Sequence, residues 1–129
     1  MWILNARNWM RISGLGLVAA LALIAFYAFK PGHPGGGLFP WDKADHFCAF
    51  FVVTVLAVVA FPNQSFLKIG IAVSVLGALI ELIQALPIVN RDCDFWDWFA
   101  EMCAMSAVYG VILAARIRRF ANDGSSKPS

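Results

Sequence analysis

The sequence predicts an all-α fold: a bundle of four transmembrane helices in a polytopic membrane protein. Of the 129 residues, 60% are hydrophobic and only 14% are charged, the mean hydropathy is +0.71, and the apolar residues gather into four runs separated by Pro, Gly and charged residues. These values lie far from those of soluble domains. A water-soluble chain of this length has too little interior to hide so much apolar surface.

A helix rising about 1.5 Å per residue needs about 20 residues to cross the hydrocarbon core. The first run covers 12–29 and ends before Pro31. Arg7 and Arg11 precede it as they would in a signal peptide. The run is longer than a usual signal core and no small-x-small cleavage site follows, so it reads as an uncleaved anchor. The second run, 44–61, is closed by Pro62-Asn63, which removes a backbone donor and favours a turn. The third covers 66–86 and stops at Pro87, and the short link before it makes runs two and three an antiparallel hairpin. The fourth covers 95–115, ahead of Arg116, Arg118 and Arg119. One domain therefore spans 1–121, and the polar, Ser-rich stretch 122–129 reads as a disordered tail.

Positive loops are retained in the cytoplasm, which orients the chain. With both termini inside, the cytoplasmic face carries Arg7, Arg11, Lys68, Arg116, Arg118, Arg119 and Lys127, leaving Lys30, Lys43 and Arg91 outside. Trp2 and Trp9 then sit at the inner interface and Trp41, Trp96 and Trp98 at the outer, where an amphipathic ring is at home. The expected location is a membrane crossed four times, with both termini on the cytoplasmic side. A net charge of +2, with the basic residues in small groups at the chain ends, excludes nucleic acid as a partner.

The polar residues inside these runs are the candidates for function. Asp42, Lys43, Asp45 and His46 open the second run, Glu81 and Gln84 lie near the end of the third, and Arg91, Asp92, Asp94, Asp97 and Glu101 lead into the fourth. All belong to one membrane face. Spacings of three and four place Glu81 with Gln84, and Asp94 with Asp97 and Glu101, along single helical faces. An ionised side chain facing lipid costs at least about 2.5–3.5 kcal/mol near mid-bilayer. Glu81 and Glu101 are therefore expected to face the bundle interior, either paired with Arg91, Lys43 or His46 or else protonated. A structural clamp of salt bridges that fixes helix register is the alternative to a functional cluster.

Three blocks carry a further signal: Asp42-Lys43-Ala44-Asp45-His46-Phe47-Cys48-Ala49-Phe50, then Glu81-Leu82-Ile83-Gln84, then Arg91 with Asp97. The arrangement resembles the VanZ-like family of bacterial membrane proteins, whose pattern is D-K-x-x-H-F-x-A-F, then E-x-x-Q, then R-x5-D-x3-N. The resemblance is strongest over 40–111. This chain departs from the pattern at Glu101, where the family has Asn, and at Ala104, where a Gly is usual; the first departure adds a carboxyl to an acidic pocket. The resemblance implies a place in the cell envelope and a link to resistance against the glycopeptide antibiotic teicoplanin. It implies no defined reaction.

From the residues themselves, Asp42, Asp45, His46, Glu81, Asp97 and Glu101 offer the groups of a metal site or of acid and base chemistry. Nothing in their spacing sets a ligand geometry, and no H-E-x-x-H, G-x-S-x-G, phosphate loop or C-x-x-C is present. No metal, cofactor or catalytic residue is assigned. Pro34-Gly35-Gly36-Gly37 reads as a flexible linker and His33 as a solvated histidine within it. Cys48, Cys93 and Cys103 read as free thiols, although Cys48 and Cys93 could approach each other. Membrane lipid, a lipid-linked cell-wall precursor or a glycopeptide are the expected partners. An enzyme acting on a lipid head group and a proton or ion path are the alternatives. The small residues Gly70, Gly77, Ala104 and Gly110 suit close helix contact, within one chain or between copies.

Overall fold

The computed structural model describes residues 5–30, 39–89 and 93–125. Among them are four helices and no strand: α1 (Ala6–Phe29), α2 (Asp42–Ala60), α3 (Phe66–Gln84) and α4 (Phe95–Ser125). Each is long and apolar enough to cross a membrane. The transmembrane bundle expected from the sequence is thus the architecture observed.

The helix ends depart from the apolar runs, because hydropathy marks the lipid-facing length and capping marks the helix. α1 starts at Ala6 rather than at 12, with Asn5 Oδ1 accepting from Arg7 N at 3.4 Å. α2 starts at Asp42, and Asp42 and Asp45 in its first turn suit the positive end of the helix dipole. The hairpin turn is closed by Gln64 N donating to Phe61 O, and Ser65 Oγ caps α3 through Lys68 N at 3.3 Å. α3 ends at Gln84 rather than 86, since Leu86 precedes Pro87 and helical backbone is disfavoured there. α4 continues to Ser125, which corrects the expected tail at 122–125; its 31 residues make a helix about 46 Å long, well beyond a hydrocarbon core of about 30 Å. The rest of the tail, 126–129, with Lys127, lies outside the described residues, as do Trp2 and the linker with His33 and Pro34–Gly37.

α2 is the hub, packing against α1, α3 and α4, whereas α1 meets α2 and α3 only among the described residues. Its inward stripe of Phe50, Val53, Thr54 and Ala57 joins Ile69, Val73 and Ile80 of α3 and Ala104 of α4 in the core. The Thr54 hydroxyl avoids an unpaired polar atom by donating to Phe50 O at 2.7 Å. The outward faces carry Leu15, Val18, Leu67, Leu82 and Val111, all exposed, as lipid contact requires. Of the small residues, Gly70 faces Met105 and Tyr109, Gly77 faces Glu101, and Ala104 is fully buried. These three serve packing within the chain. Gly110 has open space beside it.

Tyr109 ties the far end of the hairpin to α4: its ring stacks on Phe66 at 5.0 Å and its hydroxyl donates to Phe66 O at 2.7 Å. The Arg116 guanidinium sits over the Phe66 ring at 4.8 Å, within cation–π range.

Candidate functional site

The start of α2, the end of α3 and the start of α4 meet at one end of the bundle, and the charged residues converge there. The Lys43 ammonium donates to Asp94 Oδ2 at 2.7 Å and to Asp97 Oδ1 at 3.1 Å. One turn deeper, His46 Nδ1 and Glu101 Oε1 share a hydrogen bond of 2.9 Å, and Glu81 Oε1 lies 3.9 Å from the same nitrogen. The other ring nitrogen, Nε2, faces Asp97 Oδ2 at 3.8 Å. The imidazole is thus ringed by three carboxylates, all at least nine-tenths buried.

Local structure explains the convergence. Lys43 and His46 are three apart and share a face of α2; Asp97 and Glu101 are four apart on α4. Gly77, Glu81 and Gln84 follow the same rule on α3, and the missing side chain at Gly77 leaves the room that the Glu101 carboxyl occupies. The start of α4 is held by Asp94. Its Oδ1 accepts from Trp96 N at 2.9 Å as an N-cap, and its own N–H donates to Glu81 Oε2 at 3.1 Å. Trp98 Nε1 donates to Ser74 O at 3.3 Å, pinning α4 to α3 beside Gly77.

Of the residues the sequence singles out, Lys43, His46, Glu81, Asp97 and Glu101 form one cluster, with Asp42 exposed at its rim. Gln84 departs from the expectation. Buried and facing α1, it donates from Nε2 to Ala28 O at 3.4 Å, supplying a donor to one of the terminal carbonyls of that helix. Arg91 and Asp92 lie outside the described residues. Asp45 turns away, accepting from Phe39 N at 3.2 Å. The three cysteines are free and exposed. Two contributors were not singled out as such: Gly77, whose spacing from Glu81 and Gln84 was the available signal, and Trp98, which the sequence places only at an interface.

Outside the spans, the Lys43 ammonium beside Asp94, together with the Trp96 amide, holds the Asp94 carboxyl below its ordinary value of 3.8. A carboxyl depressed in the folded state adds stability that is complete above its unfolded value and disappears as pH falls through the lower folded value. Asp94→Asn keeps a capping side chain and removes the charge. The variant is expected to unfold at a lower temperature than the parent at pH 7, and the gap is expected to close below about pH 3.8. Thermal unfolding in detergent micelles across that range measures it; a gap independent of pH rejects the pairing.

A scan against protein-family models and searches among curated proteins and solved structures find no match to this chain.

Proposed function

We propose that this chain is a VanZ-like protein of the bacterial cytoplasmic membrane that binds the polar head group of an envelope component through its polar cluster. The class we favour is a lipid-linked cell-wall precursor or an amphipathic glycopeptide, which would connect the protein to teicoplanin-type resistance. The distribution of Lys and Arg supports an orientation with both termini in the cytoplasm and the cluster outward.

The observation that carries this reading is a buried set of charges that opens at one end of the bundle. Lys43 and Asp94 are half-buried at its mouth, and exposed aromatics surround it. Trp41 and Trp96 are exposed, and Phe95 packs against Trp96 and Trp98. Aromatic rings beside charged groups at a bilayer interface suit a ligand with both a polar head and an apolar body. An ion path is disfavoured: beneath His46 the described core consists of Phe50, Val53, Ala57, Ile69 and Val73, with Thr54 bonded to its own helix. A membrane enzyme is the second reading, favoured by an imidazole set between carboxylates on both ring nitrogens, an arrangement able to accept and return a proton.

The test combines glycopeptide susceptibility of cells with capture of lipid-linked precursor by the purified protein, for Asp42→Ala, His46→Ala and Glu81→Ala, with membrane levels of each variant quantified. Loss of capture in Asp42→Ala is the most telling, because Asp42 is exposed and takes no part in the packed core. Unchanged susceptibility and capture across the set would overturn the proposal. Turnover of lipid phosphates or esters by the parent protein would select the enzyme reading.

A further inference from the structure

Two oxygens in the cluster are left over. Glu81 Oε2 accepts from Asp94 N, and Glu101 Oε1 is paired with His46, but Glu81 Oε1 and Glu101 Oε2 are buried and accept no hydrogen bond from the described residues. Glu81 is 5% exposed and Glu101 fully buried. A buried carboxylate oxygen without a donor is costly, and apolar side chains of similar volume would be cheaper at both positions. Among the described residues, Glu81, Asp94, Asp97 and Glu101 face only Lys43 and His46 as cations. The two unpartnered oxygens call for a cation or a donor between α3 and α4.

We infer that His46 Nδ1, Glu81 and Glu101 bind a divalent first-row cation, Mn²⁺ or Zn²⁺, with Asp97 as the positioning residue behind the imidazole. The three side chains each offer one ligand atom, all within 4.8 Å of one another. Ligands about 2.0–2.2 Å from a shared ion lie about 3–3.5 Å from each other. The distances of 2.9 and 3.9 Å from His46 Nδ1 to the two glutamates bracket that range, so small rotations of the carboxyls suffice. A 3.9 Å separation is too long for a hydrogen bond, and it must close by about 0.5 Å for Nδ1 and Glu81 to share one ion. One imidazole with two carboxylates selects manganese or zinc over magnesium and calcium, which take oxygen alone.

The far side of the ring agrees. A histidine bound to a metal usually directs its other N–H at a carboxylate, which sets the tautomer and the ring plane. Asp97 Oδ2 lies on that side of the ring, 3.8 Å from Nε2, and would need a small shift to accept its N–H; Lys43 holds its other oxygen. Asp42, His46 and Asp97 form a second possible set, on the Nε2 side. That set relies on the exposed Asp42 and contains neither of the unpartnered oxygens, so the inner set is preferred. With the ion bound, its remaining coordination positions would take a phosphate oxygen that the bare carboxylates repel. This last step rests on the head-group reading above; the metal site does not.

The experiment uses the full chain in detergent micelles, stripped with chelator and titrated with Mn²⁺ alone, free ion being followed by its electron paramagnetic resonance and competed by Zn²⁺. The expected result is one ion per chain, with nitrogen modulation from a single imidazole in the spin echo of the bound ion and a raised unfolding temperature. Glu81→Gln and Glu101→Gln, which preserve shape, are each expected to weaken binding at least tenfold, and Asp42→Asn to leave it unchanged. The echo and the unfolding shift are read on the parent protein and do not depend on any variant folding. No stoichiometric uptake of either ion by the folded parent overturns the inference. So does binding lost in Asp42→Asn but kept in Glu81→Gln. Metal uptake without precursor capture supports the site while removing the head-group reading; capture without uptake overturns the site and leaves that reading standing.

Discussion

His46→Leu is expected to lower the unfolding free energy by about 3–5 kcal/mol, the usual cost of removing one partner from a buried charged set. Leucine fills similar space but leaves Glu81, Asp97 and Glu101 facing one another with Lys43 as the only cation among the described residues, and Lys43 is already engaged with Asp94 and Asp97. The counterpart is His46→Leu with Glu101→Leu. Replacing both members of the pair by apolar groups removes the charge and the demand for it together, so the double variant is expected to recover much of the loss. Reversible unfolding in mixed micelles with chelator present measures all four corners of the cycle. A single-variant loss below about 1 kcal/mol, or no recovery in the double, would mean that the imidazole is not holding these acids.

Gly77→Ala is expected to have an effect of similar size from the addition of one methyl group. A Cβ at this position would overlap Glu101 Oε2, reach 3.0 Å from Glu101 Cδ and lie 3.4 Å from Trp98 Cδ1. Glu101 is fully buried and has nowhere to retreat without giving up His46. Overpacking costs about 1–3 kcal/mol and a lost hydrogen bond to a charged group about 1.5–3 kcal/mol more. Gly14→Ala and Gly110→Ala meet no neighbours and are the controls, expected to be neutral or stabilising by up to about 1 kcal/mol. Equal unfolding curves for the alanines at 77 and 110 would refute the close approach of α3 and α4.

Much of this was legible in the sequence, for physical reasons. Apolar runs bounded by Pro31, Pro62 and Pro87 count the helices, because lipid demands length and proline ends what lipid requires. The meeting of Glu81, Asp97, Glu101 and His46 was legible too, since isolated charges in apolar helices are expensive and the available partners all lay at the same membrane face. Partner choice was not. Periodicity says which face Gln84 occupies and not which helix lies across from it, so its bond to Ala28 of α1 could not be foreseen. Nor could hydropathy locate the ends of α1 and α4, whose outer turns are polar but still helical. At position 101 the carboxyl is the direct partner of His46, a role visible only once α2 and α4 are placed side by side.

The order in which the cluster's members leave the ribosome has its own consequence. His46 precedes Glu101 by 55 residues, and Lys43 precedes Asp94 by 51. During synthesis α2 therefore reaches the bilayer before α3 and α4 stand beside it, sheltering Lys43 and His46 near the aqueous boundary. α3 then delivers Glu81, and only the arrival of α4 brings in Asp97 and Glu101. The last helix works as a clasp: until it docks, the first three are an unlatched set, and a nascent chain halted before α4 holds a histidine and a lysine still waiting for most of their acids.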